Sequence, residues 1–341
     1  MQDTTIKSAN RNSSIDIFRY VCAIMVVAIH TEPFADINPT LGYVFTQIVP
    51  RIAVPFFFAI SGYFYIKKLF DGKKPFLSYF KKLFITYVLW SAIYLLKDFA
   101  IVLYKGTSLL DFFLSYIKSF FVFGSSYHLW FFPAMFFCLI FVQLIYSIRC
   151  TKILIPLTLV LYFIGCLGCA YYEIFADVPV IGDFFSSSHF TLVRRVVLMG
   201  LPFFVSGYVV DRILSKFSDW LTNKRLLIFS GFSFALWLGE ICLVYFLNLQ
   251  NNIIITFGLY PLLIVTIILL VKNPLPRLKK PSRICLFMAN FVYYSHPLFI
   301  FVIYRFLKWN TLLFLTVVLC SSLCGFIVYK INNRFLNRFV I

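Results

Sequence analysis

Acidic residues are scarce in this chain: its 341 residues include only 13 aspartates and glutamates, against 31 lysines and arginines. Charged residues of both signs make up 13% of the sequence, whereas 61% is hydrophobic, well above the roughly half that is usual in soluble domains. So few charges in so apolar a chain exclude an ordinary soluble enzyme. The mean hydropathy of +0.90 predicts an all-α integral membrane protein instead.

Closely spaced metal ligands, glycine-rich phosphate loops and alternating strand patterns are also missing from the sequence. We therefore expect no metal site, no tightly bound cofactor and no nucleotide-binding fold. The nine cysteines fall almost wholly in or beside apolar runs, where cysteine behaves as a small core residue. The pair Cys166 and Cys169 is expected to pack in the core rather than to bind a metal or to act in redox chemistry.

Ten apolar runs, each near twenty residues, predict about ten transmembrane helices in a single membrane domain over residues 1–341. The approximate bounds of the runs are 15–34, 43–66, 82–104, 128–148, 153–173, 195–213, 226–248, 252–271, 284–305 and 309–329. We expect no soluble domain, and no cleaved signal peptide because the first run is a full span. The protein is therefore expected to be a multi-pass protein of the cell (plasma) membrane.

Most of the lysines and arginines lie in alternate loops between these runs, with the densest loops at 67–82 and 272–283. An excess of positive charge marks cytoplasmic loops, and the pattern predicts that the N- and C-termini both face the cytoplasm. Although the formal net charge is +18, nucleic acid is not an expected partner, because the charge is explained by topology within a lipid bilayer. A subset of these charges is also suited to attract a phosphate-bearing donor.

Two ionisable residues, Arg19 and His30, lie inside the first predicted span. Eleven positions separate them, about three helical turns, so both project from one face about 16 Å apart along the helix axis. Asp16 precedes Arg19 by three positions and is placed to pair with it. Because ionisable residues are costly in a membrane, they are functional candidates by default. The alternative is that Arg19 reaches the headgroups and that His30 lies at the interface without a role.

Segments that interrupt helices add further candidates. Arg51 precedes VPFFFAISGYF, in which Pro55 and the Ser61-Gly62 pair are expected to break the helical hydrogen bonding. A similar pattern, LPFFVSGY, begins at Leu201 and is compatible with an internal duplication or with chance similarity. The residues that we expect to line a cavity or to bind an acceptor are Ser61, His128, Trp130, Glu240 and His296.

The roles of two of these candidates stay open at this level. Glu240 is the only carboxylate deep in an apolar run, and it is either a hydrogen-bonded structural group or part of a cavity wall. His128 is expected at the same level of the membrane as His30, where it is a candidate second polar group in the site.

Taken together, these motifs resemble acyltransferase family 3, the multi-pass membrane acyltransferases that modify cell-surface glycans and related acceptors. The resemblance covers roughly residues 14–330. It is carried by Arg19 and His30 in span 1, Arg51 before VPFFFAISGYF, HLWFF at 128–132, PFFVSGY at 202–208 and YSHPLF at 294–299.

The resemblance implies that His30 is the catalytic residue and that Arg19 handles an acyl-CoA (acetyl-CoA) donor, while Arg51 corresponds to an arginine commonly found just before the FFxxSG segment. Because Arg19 and Arg51 are both arginines inside apolar runs, we also expect Arg51 to join Arg19 in binding the donor. The implied acceptor is a hydroxyl of a glycan or of a related extracytoplasmic compound, with cell-envelope biosynthesis proteins as possible partners.

A second resemblance points to a different function. The segments VVAIHTEPF and RIAVPFFFAISGYF are similar to the membrane half of the vancomycin-resistance serine racemases, which is thought to import serine. The sequence therefore leaves a membrane O-acyltransferase beside a transporter of a small polar solute such as serine. A non-catalytic assembly partner is a third alternative.

Overall fold

The computed structural model describes residues 12–106, 108–250, 252–331 and 340, and the regular structure within these ranges is entirely helical. The all-α prediction is confirmed for this part of the chain. The α-helices are α1 Ser13–Thr31, α2 Pro39–Tyr43, α3 Ala53–Phe70, α4 Phe76–Lys105, α5 Leu109–Lys118, α6 Phe131–Ser147, α7 Leu154–Leu167, α8 Ile181–Ser186, α9 Ser188–Val193, α10 Leu201–Phe217, α11 Asn223–Phe246, α12 Leu259–Lys272, α13 Lys279–Ile303 and α14 Asn310–Ile331.

The helical stretches coincide with the predicted apolar runs. In the described ranges, seven stretches are long and apolar enough to cross a membrane: Ser13–Thr31, Pro39–Phe70, Phe76–Lys105, Ser188–Phe217, Asn223–Phe246, Pro276–Ile303 and Asn310–Ile331. Three shorter apolar helices match the remaining runs: Phe131–Ser147, Thr151–Leu167 and Leu259–Lys272. This is the helix content of a membrane protein. The number of crossings and the cytoplasmic side stay predictions, and the terminal residues 1–11, 332–339 and 341 lie outside the described part of the chain.

α1 is central to the bundle and packs along α13, with further contacts to α3, α12 and α14. Asn12 caps its start, accepting hydrogen bonds from the N–H groups of Ser14 and Ile15 at 3.0 and 3.2 Å. The same Asn12 side chain donates to the carbonyls of Leu270 and Val271 at 2.9 and 3.0 Å, which ties α1 to the end of α12. On the face of α1 between Arg19 and His30, four small residues are buried: Cys22, Ala23, Val26 and Val27.

α3 and α10, which carry the two SGY motifs, cross at their glycines. A Cβ atom on Gly62 would lie 1.8 Å from the carbonyl oxygen of Phe204, and one on Gly207 would lie 2.2 Å from the backbone nitrogen of Tyr63. Each glycine thus lets the backbone of the other helix approach more closely than any side chain permits. The repeated motif therefore marks a helix–helix contact between its two copies.

Glu240 explains why α12 begins later than the apolar run 252–271 predicts. The run 252–271 was expected to be helical throughout, but α12 begins at Leu259 and residues 253–258 are irregular. The Glu240 carboxylate accepts hydrogen bonds from the N–H groups of Phe257 and Gly258 at 2.7 and 2.6 Å, and the Tyr171 hydroxyl donates to it at 3.0 Å. A carboxylate here satisfies backbone donors that precede a helix and interacts favourably with its dipole. Glu240 is thus hydrogen-bonded within the fold through three donors in the described residues.

Candidate functional site

Three of the four histidines in the chain meet at one place in the bundle. His30 of α1 stacks on His296 of α13, with ring centroids 5.4 Å apart and ring planes 19° apart. His128, just before α6, meets His296 edge to face at 5.4 Å. His128 and His296 are buried, whereas His30 is half-buried. These three candidates, which lie far apart in the sequence, form one group that we call the histidine cluster.

Pro297 explains how His296 is held. A proline has no backbone N–H, so position 297 cannot donate the helical hydrogen bond to the carbonyl of Tyr293. The Nδ1 of His296 lies 2.9 Å from that carbonyl oxygen and 3.1 Å from the carbonyl oxygen of Val292. Since both partners are acceptors, Nδ1 carries the proton and donates. Nε2 is then an acceptor, and it is buried without a hydrogen-bond partner among the residues that the structure describes.

His128 is fixed by the same turn of α13. Its Nε2 lies 3.2 Å from the carbonyl oxygen of Tyr294 and therefore donates to it. The hydroxyl of Tyr293 donates in return to the carbonyl of His128 at 3.0 Å. Nδ1 of His128 is left as a buried acceptor with no partner in the described ranges. The backbone around Pro297 thus sets the tautomers of both buried histidines.

His30 differs from its two neighbours because its nitrogens are not engaged. Its ring contacts Tyr127 edge to face at 4.8 Å, in addition to the stack with His296. No residue in the described part of the chain forms a hydrogen bond with either ring nitrogen of His30. Both nitrogens are therefore available to a group that enters from the adjoining cavity.

A cavity of about 240 Å³ adjoins the histidine cluster, and we call it the His30 cavity. Its lining combines histidines, aromatic residues, three arginines and apolar residues. The lining residues are Val26, Ile29, His30, Pro50, Arg51, Val54, Pro55, Tyr127, His128, Trp130, Arg194, Arg195, Met199, Ile254 and Tyr293. Two of the residues singled out in the sequence, His128 and Trp130, are part of this lining. None of these described lining residues is a carboxylate.

Arg194 and Arg195 are residues of this cavity that the sequence analysis did not single out. They begin a π-helical segment, Arg194–Gly200, that leads into α10. A signal was present in the sequence, because two adjacent arginines open an apolar run on the side predicted to carry little positive charge. Hydropathy alone placed Arg194 in a loop and Arg195 at the first position of the run 195–213, and it gave no indication that either lines a cavity.

A second cavity, of about 160 Å³, lies around Arg19, and we call it the Arg19 cavity. The polar residues in its lining include Arg19, Ser61, Lys82 and Asn290. Arg19 pairs with Asp16 at 3.9 Å, so the predicted i,i+3 ion pair is present. Ser61, another predicted site residue, therefore belongs with Arg19 and not with His30.

The structure does not bring Arg19 and Arg51 together, although the sequence analysis grouped them in one donor site. Arg51 lies in a short 3₁₀ turn, Val49–Ile52, before α3, and lines the His30 cavity. The sequence analysis assigned both residues to one donor site because both are arginines inside apolar runs. Glu240 lines neither cavity.

Three aromatic rings, which we call the aromatic partition, lie between the two cavities. The rings of Phe57 and Phe131 are 5.6 and 5.9 Å from the ring of Tyr293, and 6.4 Å from each other. Phe57 and Phe131 line the Arg19 cavity, and Tyr293 lines both cavities. Tyr293 is therefore a wall that the two cavities share, and Phe57 and Phe131 pack against it on the Arg19 side.

A basic cleft of about 710 Å³ lies beside the Arg19 end of α1, and we call it the lysine cleft. Four lysines line it: Lys67, Lys68, Lys73 and Lys279. Phe64 also lines this cleft, and the guanidinium of Arg19 lies 5.8 Å from its ring centre. Positive charge thus extends from the cleft to Arg19.

The described residues contain no group of three or more histidine, cysteine or acidic side chains arranged to hold a metal ion. The histidine rings stack or meet edge to face, so their nitrogens do not converge on one point. The arrangement can instead exchange a proton at His30, and it can bind anions at its arginines.

Comparisons with known proteins agree with this architecture. The sequence profile of an acyltransferase domain, that of acyltransferase family 3, matches residues 12–330. An amino-acid racemase of Enterococcus faecalis is 31% identical over 343 positions, which cover 95% of this chain and 47% of that protein. A second amino-acid racemase of Enterococcus faecalis is 33% identical over 206 positions, 58% of this chain and 28% of that protein.

A serine/alanine racemase of Enterococcus gallinarum is 31% identical over 177 positions, 50% of this chain and 25% of that protein. The chain spans at most about half the length of these curated relatives. No solved structure gives a significant match. Since the family profile covers nearly the whole chain, including the histidine cluster and both cavities, this protein belongs to acyltransferase family 3, a family of membrane acyltransferases.

Proposed function

We propose that this protein is an O-acyltransferase that moves an acyl group, acetyl in the first instance, from cytoplasmic acyl-CoA to a hydroxyl of a glycan or related acceptor outside the cell membrane. One observation carries the proposal: α1 presents Arg19 to one cavity and His30 to another, with the aromatic partition between them. A donor and an acceptor can then enter from opposite ends and meet near the partition.

The donor end is the lysine cleft together with the Arg19 cavity. The phosphates of CoA are anionic, and the four lysines of the cleft supply the opposite charge. From there the pantetheine arm extends past Arg19, whose planar guanidinium can hold a phosphate or polarise the thioester carbonyl through paired N–H groups. The thioester then lies at the aromatic partition.

At the acceptor end, His30 acts as the general base. It takes the proton of the acceptor hydroxyl while the hydroxyl oxygen attacks the thioester carbon. The new C–O ester bond forms and the C–S bond breaks, and the proton held by His30 passes to the departing thiolate. The products are the acylated acceptor and CoA. The absence of hydrogen bonds to the His30 nitrogens in the described residues supports this role.

His296 is a positioning residue in this mechanism. Its ring lies flat against His30 at 5.4 Å, and its own Nδ1–H is committed to the carbonyl freed by Pro297. A buried ring held in this way limits the rotation of His30, and a fixed imidazole is worth more as a base than a mobile one.

A second candidate function, transport of a small polar solute such as serine, has one specific observation in its favour. Two cavities separated by a thin layer of side chains are what an alternating-access transporter needs. The curated relatives, two called amino-acid racemases and one a serine/alanine racemase, make an amino acid the solute to test.

The deciding experiment uses the purified chain in liposomes with radiolabelled acetyl-CoA outside and, separately, radiolabelled serine. We expect release of CoA thiol and transfer of label to hydroxyl compounds in an envelope extract, both lost in His30→Gln and retained in the matched exposed control His189→Gln. Serine uptake without any turnover of acetyl-CoA would replace the acyltransferase proposal with the transporter.

A further inference from the structure

Three arginines that the proposed transfer reaction leaves unused lie in the His30 cavity. Arg51, Arg194 and Arg195 all line this cavity of about 240 Å³, together with His30. They come from two separate segments, 49–52 and 194–200, so the fold brings them together. No carboxylate is present among the described lining residues to balance them.

Each arginine is held in a way that leaves guanidinium N–H groups to bind a ligand. Arg51 donates only its Nε to the carbonyl of Gln47, at 3.0 Å. The guanidinium of Arg195 lies over the ring of Trp130 at 5.3 Å, and that of Arg194 over Phe190 at 6.0 Å. Stacking engages the flat face of a guanidinium, whereas hydrogen bonds form at its edge. None of the three forms an ion pair within the part of the chain that is described.

Both arginine-bearing segments depart from α-helical geometry. Arg51 lies in a 3₁₀ turn that follows a π-helical segment, Val44–Ile48, and Arg194 and Arg195 open the π-helix Arg194–Gly200. Local π geometry is uncommon and is found often at functional sites, where it redirects side chains. In this protein, π geometry occurs in or next to the two segments whose arginines line the His30 cavity.

Three like charges, half-buried in an apolar bundle, are unfavourable unless an anion offsets them. A phosphate suits this arrangement better than a carboxylate does, because its oxygens point in several directions and can be met from two segments at once. The described lining supplies no carboxylate for the ammonium group of a zwitterionic amino acid, whereas its three arginines favour a ligand with net negative charge. The cavity is also smaller than the roughly 300–1,000 Å³ of a drug-sized site, so it fits one small unit.

The geometry therefore points to an anionic acceptor: the hydroxyl that receives the acyl group is carried on a phosphate-bearing unit, and Arg51, Arg194 and Arg195 bind the phosphate beside His30. This inference rests on the proposed function, since it names the acceptor class of the same site. The three arginines set which hydroxyl compounds can be acylated, while His30 performs the proton transfer. The phosphate can belong to a lipid headgroup or to a water-soluble polyol phosphate.

Binding is measured with the full chain purified in a neutral detergent, with sn-glycerol 3-phosphate as the probe and the thermal unfolding midpoint as the readout. We expect this probe to raise the midpoint, and neutral glycerol and serine at equal concentration to leave it unchanged. Replacing one arginine by glutamine removes a charged hydrogen-bonding partner, so Arg51→Gln, Arg194→Gln and Arg195→Gln should each weaken binding by roughly ten- to a hundredfold.

Arg305→Gln is the matched control, because Arg305 is exposed, stacks on Phe301 at 4.7 Å and lies outside the cavity. Should a glutamine variant fail to fold, the lysine variant at the same position keeps the charge and should show a smaller loss. Binding of glycerol that equals binding of the phosphate probe, or phosphate binding that survives in all three arginine variants, would overturn the inference.

The source of the phosphate is distinguished with nanodiscs. Competition with the probe by phosphatidylglycerol but not by phosphatidylcholine assigns a lipid headgroup, and no competition by either assigns a water-soluble acceptor. The outcome also separates this inference from the proposed function. Arginine-dependent phosphate binding without turnover of acetyl-CoA would keep the anion site and remove the acyltransferase. Acyl transfer to neutral hydroxyl acceptors alone would keep the acyltransferase and remove the anion site.

Discussion

His296 stacks face to face on His30, with ring planes 19° apart, although 266 positions separate the two residues in the chain. His30 is the proposed general base, and His296 is buried against it and donates its Nδ1–H to the backbone. A change at either position therefore alters the other. His296 is part of the machinery around His30 and is unsuitable as a neutral histidine control, whereas the exposed His189 is suitable.

His30→Gln should reduce acyl transfer by roughly a hundredfold or more, which is the usual contribution of a positioned acid-base group. Glutamine keeps a hydrogen-bonding side chain but cannot exchange a proton near neutral pH. The protein should remain folded, because His30 is half-buried and no described residue depends on its hydrogen bonds. Initial rates in membranes, normalised to protein amount, provide the measurement, and wild-type rates would remove His30 from the mechanism.

His296→Ala should lower both the thermal unfolding midpoint and the rate of transfer, because it removes the ring against His30 and leaves the Tyr293 carbonyl without its imidazole donor. Adding Pro297→Ala restores a backbone N–H at that place. The double variant should recover part of the midpoint but little of the transfer rate, since the ring is still missing. A midpoint that the second change leaves unaltered would contradict this account of the His296-Pro297 pair.

Gly62→Ala should destabilise the protein by about 1–3 kcal/mol or more, because the new methyl group would meet the Phe204 carbonyl oxygen at 1.8 Å. The matched control is Gly231→Ala in α11, where nothing lies within 4 Å of the added Cβ. That change should stabilise the helix by about 0.5–1 kcal/mol. Thermal unfolding in detergent compares the two variants, and equal midpoints would show that α3 and α10 do not approach so closely.

Glu240→Ala should destabilise the protein without a direct effect on chemistry. The change leaves the half-buried N–H groups of Phe257 and Gly258 without their acceptor, which costs at most about 1–3 kcal/mol per group, the range for a buried group left unsatisfied. Glu240→Gln keeps one acceptor oxygen and should lose less. Because Glu240 lines neither cavity, the transfer rate per folded molecule should not change. A selective loss of rate at an unchanged midpoint would give Glu240 a functional role, and Glu173→Ala, at an exposed glutamate, is the control.

Asp36 should stabilise the protein in a pH-dependent way. Its carboxylate accepts hydrogen bonds from the Thr311 hydroxyl and, at 3.2 Å, from the Thr311 N–H, and these bonds lower the pKa of the Asp36 carboxyl. A depressed pKa in the folded state means that the stabilisation is present above the ordinary aspartate pKa of about 3.9 and is lost as the pH falls through the folded value. Asp36→Asn should therefore lower the unfolding midpoint more at pH 7 than at pH 3. Asp177→Asn, at an exposed aspartate, should show no such difference.

The sequence predicted those features that depend on local periodicity. The helix positions follow from hydropathy, and the Asp16–Arg19 ion pair and the buried face between Arg19 and His30 follow from the helical repeat. The neighbours of His30 could not be predicted in this way. Nothing local in the sequence places His296, Arg194 or Arg195 beside it, because those contacts depend on how α1, α10 and α13 pack.

Two expectations failed for identifiable physical reasons. Arg51 was grouped with Arg19 because both are arginines within apolar runs, but a 3₁₀ turn before α3 carries Arg51 to the His30 cavity. The start of α12 was placed too early because the irregular segment at 253–258 is as apolar as a helix. Its backbone is satisfied by Glu240, which belongs to a different helix.

The aromatic partition has an electrical consequence. If water fills both cavities, most of the membrane voltage falls across the thin layer formed by the rings of Phe57, Phe131 and Tyr293. A charged solute that passes this layer exchanges about 2.3 kcal/mol per elementary charge with a potential of 100 mV, whereas a neutral acyl group exchanges none. In the proposed reaction the acyl group is neutral, but the proton that passes from the acceptor hydroxyl to the departing thiolate carries one elementary charge, so acyl transfer should depend on the membrane potential as far as that proton crosses the layer.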